Sequence, residues 1–291
     1  MTDFQGIWVP LVTPLSNNQP DLAARQRLAE NLLQAGVDGF IVCGTTGEPA
    51  TLSDEEQARL LAAVLEVTGT RCPVVFGVSG NDTAAMIARL RELESERLAG
   101  WLISAPYYTR PSQEGIRRHF EALADATERP VLLYNVPYRS GIGMDTATLK
   151  ALARHPRIAG IKQSAGNDLD QLSALIHETP LQVLSGEDAL IFHCACLGGQ
   201  GAISAAAHIR PDLYRRMLAQ VQAGELDAAR RLHHTLLPWI RLLFSEPNPG
   251  AIKAALAMMG LIRDGLRLPM TPVSDGLRRR IEEALPQILA L

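Results

Sequence analysis

Short apolar runs alternate with amphipathic stretches along most of the chain, at a regular beat. The runs fall at residues 7–12, 39–43, 74–78, 101–104, 131–134, 158–161, 182–184 and 201–204. Each is followed by apolar positions at helical spacing, beginning near residue 21 and then at 54–67, 83–98, 113–127, 146–154, 169–178, 188–196 and 211–223. The apolar runs do not alternate with polar residues, which is the pattern of parallel strands covered on both faces. Eight such repeats predict an α/β fold, a closed (β/α)8 TIM barrel. A doubly wound open sheet is the competitor, but the first turn reads Thr13-Pro14-Leu15-Ser16 and lacks the glycine-rich dinucleotide fingerprint. Beyond residue 224 only helical spacing remains, at 226–244, 250–259 and 274–291, broken by Pro247-Asn248-Pro249-Gly250. The expected organisation is a barrel over 1–224 and a C-terminal helical subdomain over 225–291.

Composition narrows the partners. The 291 residues are 47% hydrophobic and 20% charged, enough to bury a large core. Net charge is −3, and the one basic run, Arg278-Arg279-Arg280, sits in a helical pattern as a solvated face. Neither nucleic acid nor a membrane surface is expected as a partner. The N-terminus has no basic region leading into an apolar stretch, and no apolar run reaches transmembrane length. Four cysteines at irregular spacing do not make a disulfide scaffold, so reduced thiols and a cytoplasmic location are expected. The seven histidines lie mostly on helices or loops, without a ligand-like cluster, and no metal is expected.

Arginine dominates the cations. Of 28 basic residues only Lys150, Lys162 and Lys253 are lysine. Arginine cannot lose its proton and lysine can, so each lysine is a candidate for chemistry.

Active sites of such barrels lie at the C-terminal ends of the strands. There the sequence places Gly44-Thr45-Thr46-Gly47-Glu48, Ser79-Gly80-Asn81, Pro106-Tyr107-Tyr108, Tyr134-Asn135-Val136-Pro137-Tyr138-Arg139, Lys162-Gln163-Ser164 and Ser185-Gly186-Glu187. Lys162 ends an otherwise apolar strand, with Gly160 giving room beside it. Burial disfavours an ammonium ion, and a neutral amine in a dry pocket is what Schiff-base formation with a carbonyl needs. The plainer reading is a structural lysine paired with a barrel carboxylate, for which Glu48 and Glu187 are nearest in sequence. Tyr134 ends the neighbouring strand, where a phenol can shuttle protons if a hydroxyl such as that of Thr45 or Thr46 relays them. A lone tyrosine is more often core packing with a satisfied hydroxyl. The Thr-Thr-Gly turn opens towards a helix, an arrangement that suits a carboxylate. The constellation carries the argument, since no single member does.

The segments GTTGEPATLS (44–53), PYYTRPSQEG (106–115), YNVPYRSG (134–141), GIKQSAG (160–166), LSGED (184–188), EPNP (246–249) and LRLPMTP (266–272) are similar to those of one family. The chain resembles the dihydrodipicolinate synthase and N-acetylneuraminate lyase superfamily along nearly its whole length, and the synthase branch more closely. The resemblance implies that Lys162 forms an imine with pyruvate. Tyr134, Thr46 and Tyr108 would relay protons, with Tyr108 reaching in from a neighbouring subunit. Thr45 and Thr46 would hold the pyruvate carboxylate, with Ile203 and Gly186 lining the substrate site. Arg139 would bind the carboxylate of L-aspartate-4-semialdehyde. The resemblance further implies no cofactor, a homotetramer built as a dimer of dimers, and a place in lysine and diaminopimelate biosynthesis.

The chain also departs from that pattern. Gln163 stands where synthases more often have glutamate, and Gly250 where a proline is familiar. Members inhibited by lysine carry an Asn and a Tyr matching Asn81 and Tyr107, but their His or Glu partners fall here at Asp54, Gln57 and Ala85. Weak or absent feedback by L-lysine is therefore expected, and micromolar inhibition in a steady-state assay would refute it. Two other readings stand beside the synthase: a sister aldolase that joins pyruvate to another aldehyde, and a non-catalytic relative that binds a small acid. Arg139 favours the synthase over the first, and the undamaged set Lys162, Tyr134, Thr46 and Tyr108 disfavours the second.

Overall fold

The computed structural model describes residues 3–291. Met1 and Thr2, the first residues of the segment read as lacking a leader, lie outside that range. Eight parallel strands close into a barrel: β1 (Gly6–Pro10), β2 (Gly39–Val42), β3 (Val74–Val78), β4 (Gly100–Ser104), β5 (Val131–Asn135), β6 (Ile158–Gln163), β7 (Gln182–Ser185) and β8 (Gly201–Ile203). Nearly every strand residue is buried, as the unbroken apolar runs require. Each strand is followed by a helix: α1 (Leu22–Gln34), α2 (Asp54–Thr68), α3 (Thr83–Leu93), α4 (Gln113–Asp125), α5 (Thr146–Leu152), α6 (Leu169–Glu178), α7 (Ile191–Cys196) and α8 (Pro211–Gln222). The C-terminal segment adds α9 (Leu226–Leu243), α10 (Gly250–Met258) and α11 (Asp275–Leu289). No helix is long and apolar enough to cross a membrane among the described residues.

Short polar residues set the helix starts. Asp21, Ser53, Asp82, Ser112, Asp145 and Asp168 each accept a hydrogen bond from a first-turn backbone N–H, satisfying donors that have no partner within the helix. Ser53 and Glu56 complete a capping box at α2, whose first turn is wholly acidic. The alternation was legible in the sequence, but some details differ. α3 ends at Leu93, five residues before the expected end. A two-residue hairpin pairs Leu15–Ser16 with Gln19–Pro20, and a one-turn helix, Pro137–Ser140, follows β5; neither has enough periodicity to be read.

By internal contacts the chain divides into two compact units. One comprises Val74–Ile203 with the N-terminal residues through Gly6, and the other Ile7–Pro73 with Ser204–Leu291. Each holds part of the polar set expected at the strand ends.

Candidate active site

The first unit carries Lys162 and Tyr134. Register pairs Leu133 with Ile161, Tyr134 with Lys162 and Asn135 with Gln163. Lys162 and Tyr134 are each 6% exposed, and Lys162 Nζ lies 4.4 Å from the centre of the Tyr134 ring. The ring face lies beside the amine and steers it without forming an ion pair. The three lysines separate by partner. Lys150 pairs with Glu178 at 2.5 Å and Lys253 with Glu48 at 2.7 Å, whereas Lys162 makes no ion pair among the described residues. The structural-lysine reading therefore describes Lys253. Glu48, one of the two acids considered for Lys162, is committed to that pair.

The room around Lys162 comes from Gly186. A Cβ there would stand 1.9 Å from Ser164 Oγ and 2.8 Å from Lys162 Cγ and Cε. Gly160, expected to supply that space, instead lets the neighbouring strand approach: its Cβ would meet the Gln182 carbonyl oxygen at 2.5 Å. Glu187 follows Gly186, and burial first, then Asp188, raises its carboxyl above the ordinary range, while Lys162 and Arg139 pull it down. Ile203 is buried at the end of β8.

Gln163 faces away from Lys162, as alternation along a strand demands. Its Nε2 donates to Gln171 Oε1 on α6 at 2.5 Å; Asn135 Nδ2 donates to the same oxygen at 3.3 Å, and Gln171 Nε2 donates to the Met144 carbonyl at 3.1 Å. The departure at Gln163 thus places a neutral amide clasp outside the barrel, behind the two residues that precede it in register.

Arg139 sits exposed on the one-turn helix Pro137–Ser140, its guanidinium carbon 5.2 Å from the Tyr138 ring centre. Burial raises the pKa of Tyr138 first, Tyr134 adds to that, and Arg139 opposes it. Tyr108 does not join its own chain's Lys162 and Tyr134. Its side chain is 88% exposed, on a backbone held in the left-handed region at φ 69°, where a bulky residue is strained.

The second unit carries the Thr-Thr-Gly turn. Thr45–Gly47 is a single 3-10 turn closed by Glu48 in the left-handed region. Thr46 is 3% exposed, and its Oγ1 accepts from Asn248 Nδ2 at 2.9 Å. That leaves the Thr46 hydroxyl hydrogen available to a further acceptor. Glu48 Oε2 is held by Lys253 Nζ from α10. Burial pushes the Glu48 carboxyl up and the Lys253 amine down, and their mutual attraction opposes both shifts. Sequence reasoning gave Asn248 no role and named Lys253 only as one of three lysines to weigh for chemistry. Their signals were present, in the place of Asn248 within EPNP, one of the segments that carry the resemblance, and in the scarcity of lysine.

The fold and these strand ends define a (β/α)8-barrel protein in which a buried lysine, without an ion pair among the described residues, faces a buried tyrosine. The sequence profile of the Dihydrodipicolinate synthetase family matches residues 3–288, and the chain belongs to that family. A 4-hydroxy-tetrahydrodipicolinate synthase of Syntrophobacter fumaroxidans is 39% identical over 285 residues, 97% of this chain and 98% of the relative. The 4-hydroxy-tetrahydrodipicolinate synthase structure from Methylacidiphilum fumariolicum SolV superposes with a TM-score of 0.94 at 37% identity, covering 99% of this chain and 98% of the other. The chloride-inhibited dihydrodipicolinate synthase of Acinetobacter baumannii, complexed with pyruvate, matches with a TM-score of 0.94 at 34% identity, covering 98% and 99%.

Proposed function

We propose that this chain condenses pyruvate with L-aspartate-4-semialdehyde to give 4-hydroxy-tetrahydrodipicolinate, through an imine on Lys162. The observation that carries the reading is Lys162 itself: buried, without a carboxylate partner among the described residues, and 4.4 Å from the Tyr134 ring. Lys162 Nζ attacks C2 of pyruvate, and the carbinolamine loses water to give the imine. Loss of a C3 proton yields the enamine, which attacks the aldehyde carbon of the semialdehyde. The semialdehyde amine then displaces Lys162 and closes the ring. Tyr134, Thr46 and Tyr108 of a neighbouring subunit carry the protons. Thr45 and Thr46 hold the pyruvate carboxylate, Gly186 and Ile203 line the substrate, and Arg139 receives the semialdehyde carboxylate. No cofactor is required, because the protonated imine on Lys162 accepts the electron pair left when the C3 proton departs.

The exposed, strained Tyr108 supports assembly. A side chain so exposed gains no packing within its own subunit, and we place it against a partner in a homotetramer of two dimers. The cysteines form no disulfide among the described residues, which agrees with a cytoplasmic enzyme of lysine and diaminopimelate biosynthesis. Borohydride reduction with pyruvate, mass spectrometry of the peptides and a coupled assay with the semialdehyde test the proposal together. An adduct on Lys162 with turnover is expected. An adduct without turnover would point to another aldehyde, and no adduct would make Lys162 structural. A monomer with full activity would overturn the role given to Tyr108.

A further inference from the structure

Arg25, on α1, is completely buried. Its Nη1 donates to the carbonyl oxygens of Leu11, at 3.1 Å, and Val12, just beyond β1. The opposite edge, Nε and Nη2, has no hydrogen-bond partner, and no carboxylate pairs with Arg25 among the described residues. That edge is the fork that ordinarily grips a carboxylate. Burial lowers the Arg25 pKa to about 10, with Cys43 pushing the other way, so the group stays charged at neutral pH.

The segment gripped by Arg25 supports the Thr45–Gly47 turn. Thr13 Oγ1 donates to the Gly47 carbonyl at 2.7 Å, and a Cβ on Gly47 would stand 3.1 Å from the Leu11 oxygen that Arg25 also holds. The guanidinium and the turn are thus one peptide layer apart. Neither the Glu48–Lys253 pair nor His208 balances the charge. Glu48 and Lys253 sum to zero whichever of them holds the proton. His208, which accepts from the Val12 N–H at 3.1 Å, is neutral, its pKa lowered to about 4 by burial. The positive charge of Arg25 is felt at both Lys253 and His208.

We propose that Arg25 is a positioning residue for anion recognition: its unmatched charge, buried behind the Thr45–Gly47 turn, raises the affinity of that turn for a substrate carboxylate. This rests on the reading of Thr45 and Thr46 as the carboxylate site. A bound carboxylate supplies the missing counter-charge across a layer from which water is excluded, where charges attract more strongly than in solvent. A neutral substrate of the same shape gains nothing from it.

The test compares Arg25→Leu and Arg25→Met, which remove the charge, with Arg25→Lys, which keeps it. Half-saturation of borohydride trapping at Lys162 is measured with pyruvate and with methyl pyruvate, after thermal unfolding confirms a folded chain. In the neutral variants half-saturation for pyruvate rises on the order of tenfold, that for methyl pyruvate barely moves, and the maximal trapping rate holds. Arg25→Lys restores the preference for the acid. Equal changes for both ligands, or none for either, would overturn the proposal. So would neutral variants that fail to fold beside a folded Arg25→Lys, since the charge would then serve folding. Absence of any adduct in the unchanged chain would sink the imine reading instead, a result distinct from an adduct that ignores the charge at residue 25.

Discussion

Lys162 faces Tyr134 because the register of β5 against β6 shifts by one residue. Val131 pairs with Ile158, but Leu132 pairs with Gly160, so Ala159 is left over as a bulge. Without that extra residue Tyr134 would pair with Ile161, and the amine would turn to the other face of the sheet. The approach of Nζ to the phenol ring, at 4.4 Å, is therefore a product of strand pairing.

Tyr134→Phe keeps the ring under the amine and removes only the hydroxyl. Borohydride trapping is expected to persist on Lys162, while turnover falls roughly 10²–10⁴-fold, the usual range for a lost acid–base group. Unchanged turnover in the coupled assay would show that another group carries the protons.

Gly186→Ala puts a methyl group where Ser164 Oγ and the Lys162 stem already stand. Overpacking of this kind costs about 1–3 kcal/mol. Because Lys162 must move to relieve it, trapping should slow more than tenfold, the usual outcome when a reacting group is misplaced. Denaturant unfolding and single-turnover trapping measure the two effects separately.

Lys253→Met leaves the Glu48 carboxylate buried without its partner. Breaking a buried pair from one side costs about 3–5 kcal/mol, whereas removing both charges costs much less. The double variant Glu48→Gln, Lys253→Met should be the more stable of the two in urea, and a double variant that unfolds first would refute this account.

Gln163→Glu removes one donor from Gln171 Oε1 and sets a carboxylate against that oxygen, which still accepts from Asn135 Nδ2. Turning the Gln171 amide would offer a donor to residue 163 but would set Oε1 against the Met144 carbonyl. Either arrangement leaves buried acceptors unmatched, and a loss of about 1–3 kcal/mol is expected. Full stability at pH 7, measured by thermal unfolding, would mean that α6 adjusts.

Stability should fall on acidification before most carboxylates titrate. Burial lowers the pKa of His119 and His208 to about 4 from an ordinary 6.5. Between those values the unfolded chain takes up protons that the folded chain refuses, so the stabilising contribution is full above about pH 6.5 and is lost as pH falls towards 4. The most each can contribute is roughly 3 kcal/mol. Replacing either histidine by Gln should flatten the fall in unfolding free energy between pH 7 and 5, and an unaltered slope would argue against it.

The order of strands and helices was legible in the sequence because parallel strands covered on both faces must be apolar throughout, and helix starts need short polar caps. Candidates for the chemistry could also be named, since Lys162, Tyr134, Thr46 and Arg139 stand just where apolar runs give way to turns. What linear spacing cannot carry is which neighbour each side chain meets. Tyr134 could have paired with Ile161, Glu48 could have paired with Lys162, and Gly160 could have made the space around the amine. A bulge of one residue, a helix from the C-terminal segment and a glycine just beyond the end of another strand decided otherwise. Those outcomes depend on contacts between residues distant in sequence, where burial makes each unpaired polar group expensive and so selects one arrangement. Arg25 marks the limit of legibility: on the chain it is one arginine among many, and only the tertiary structure removes it from water and leaves its charge unmatched.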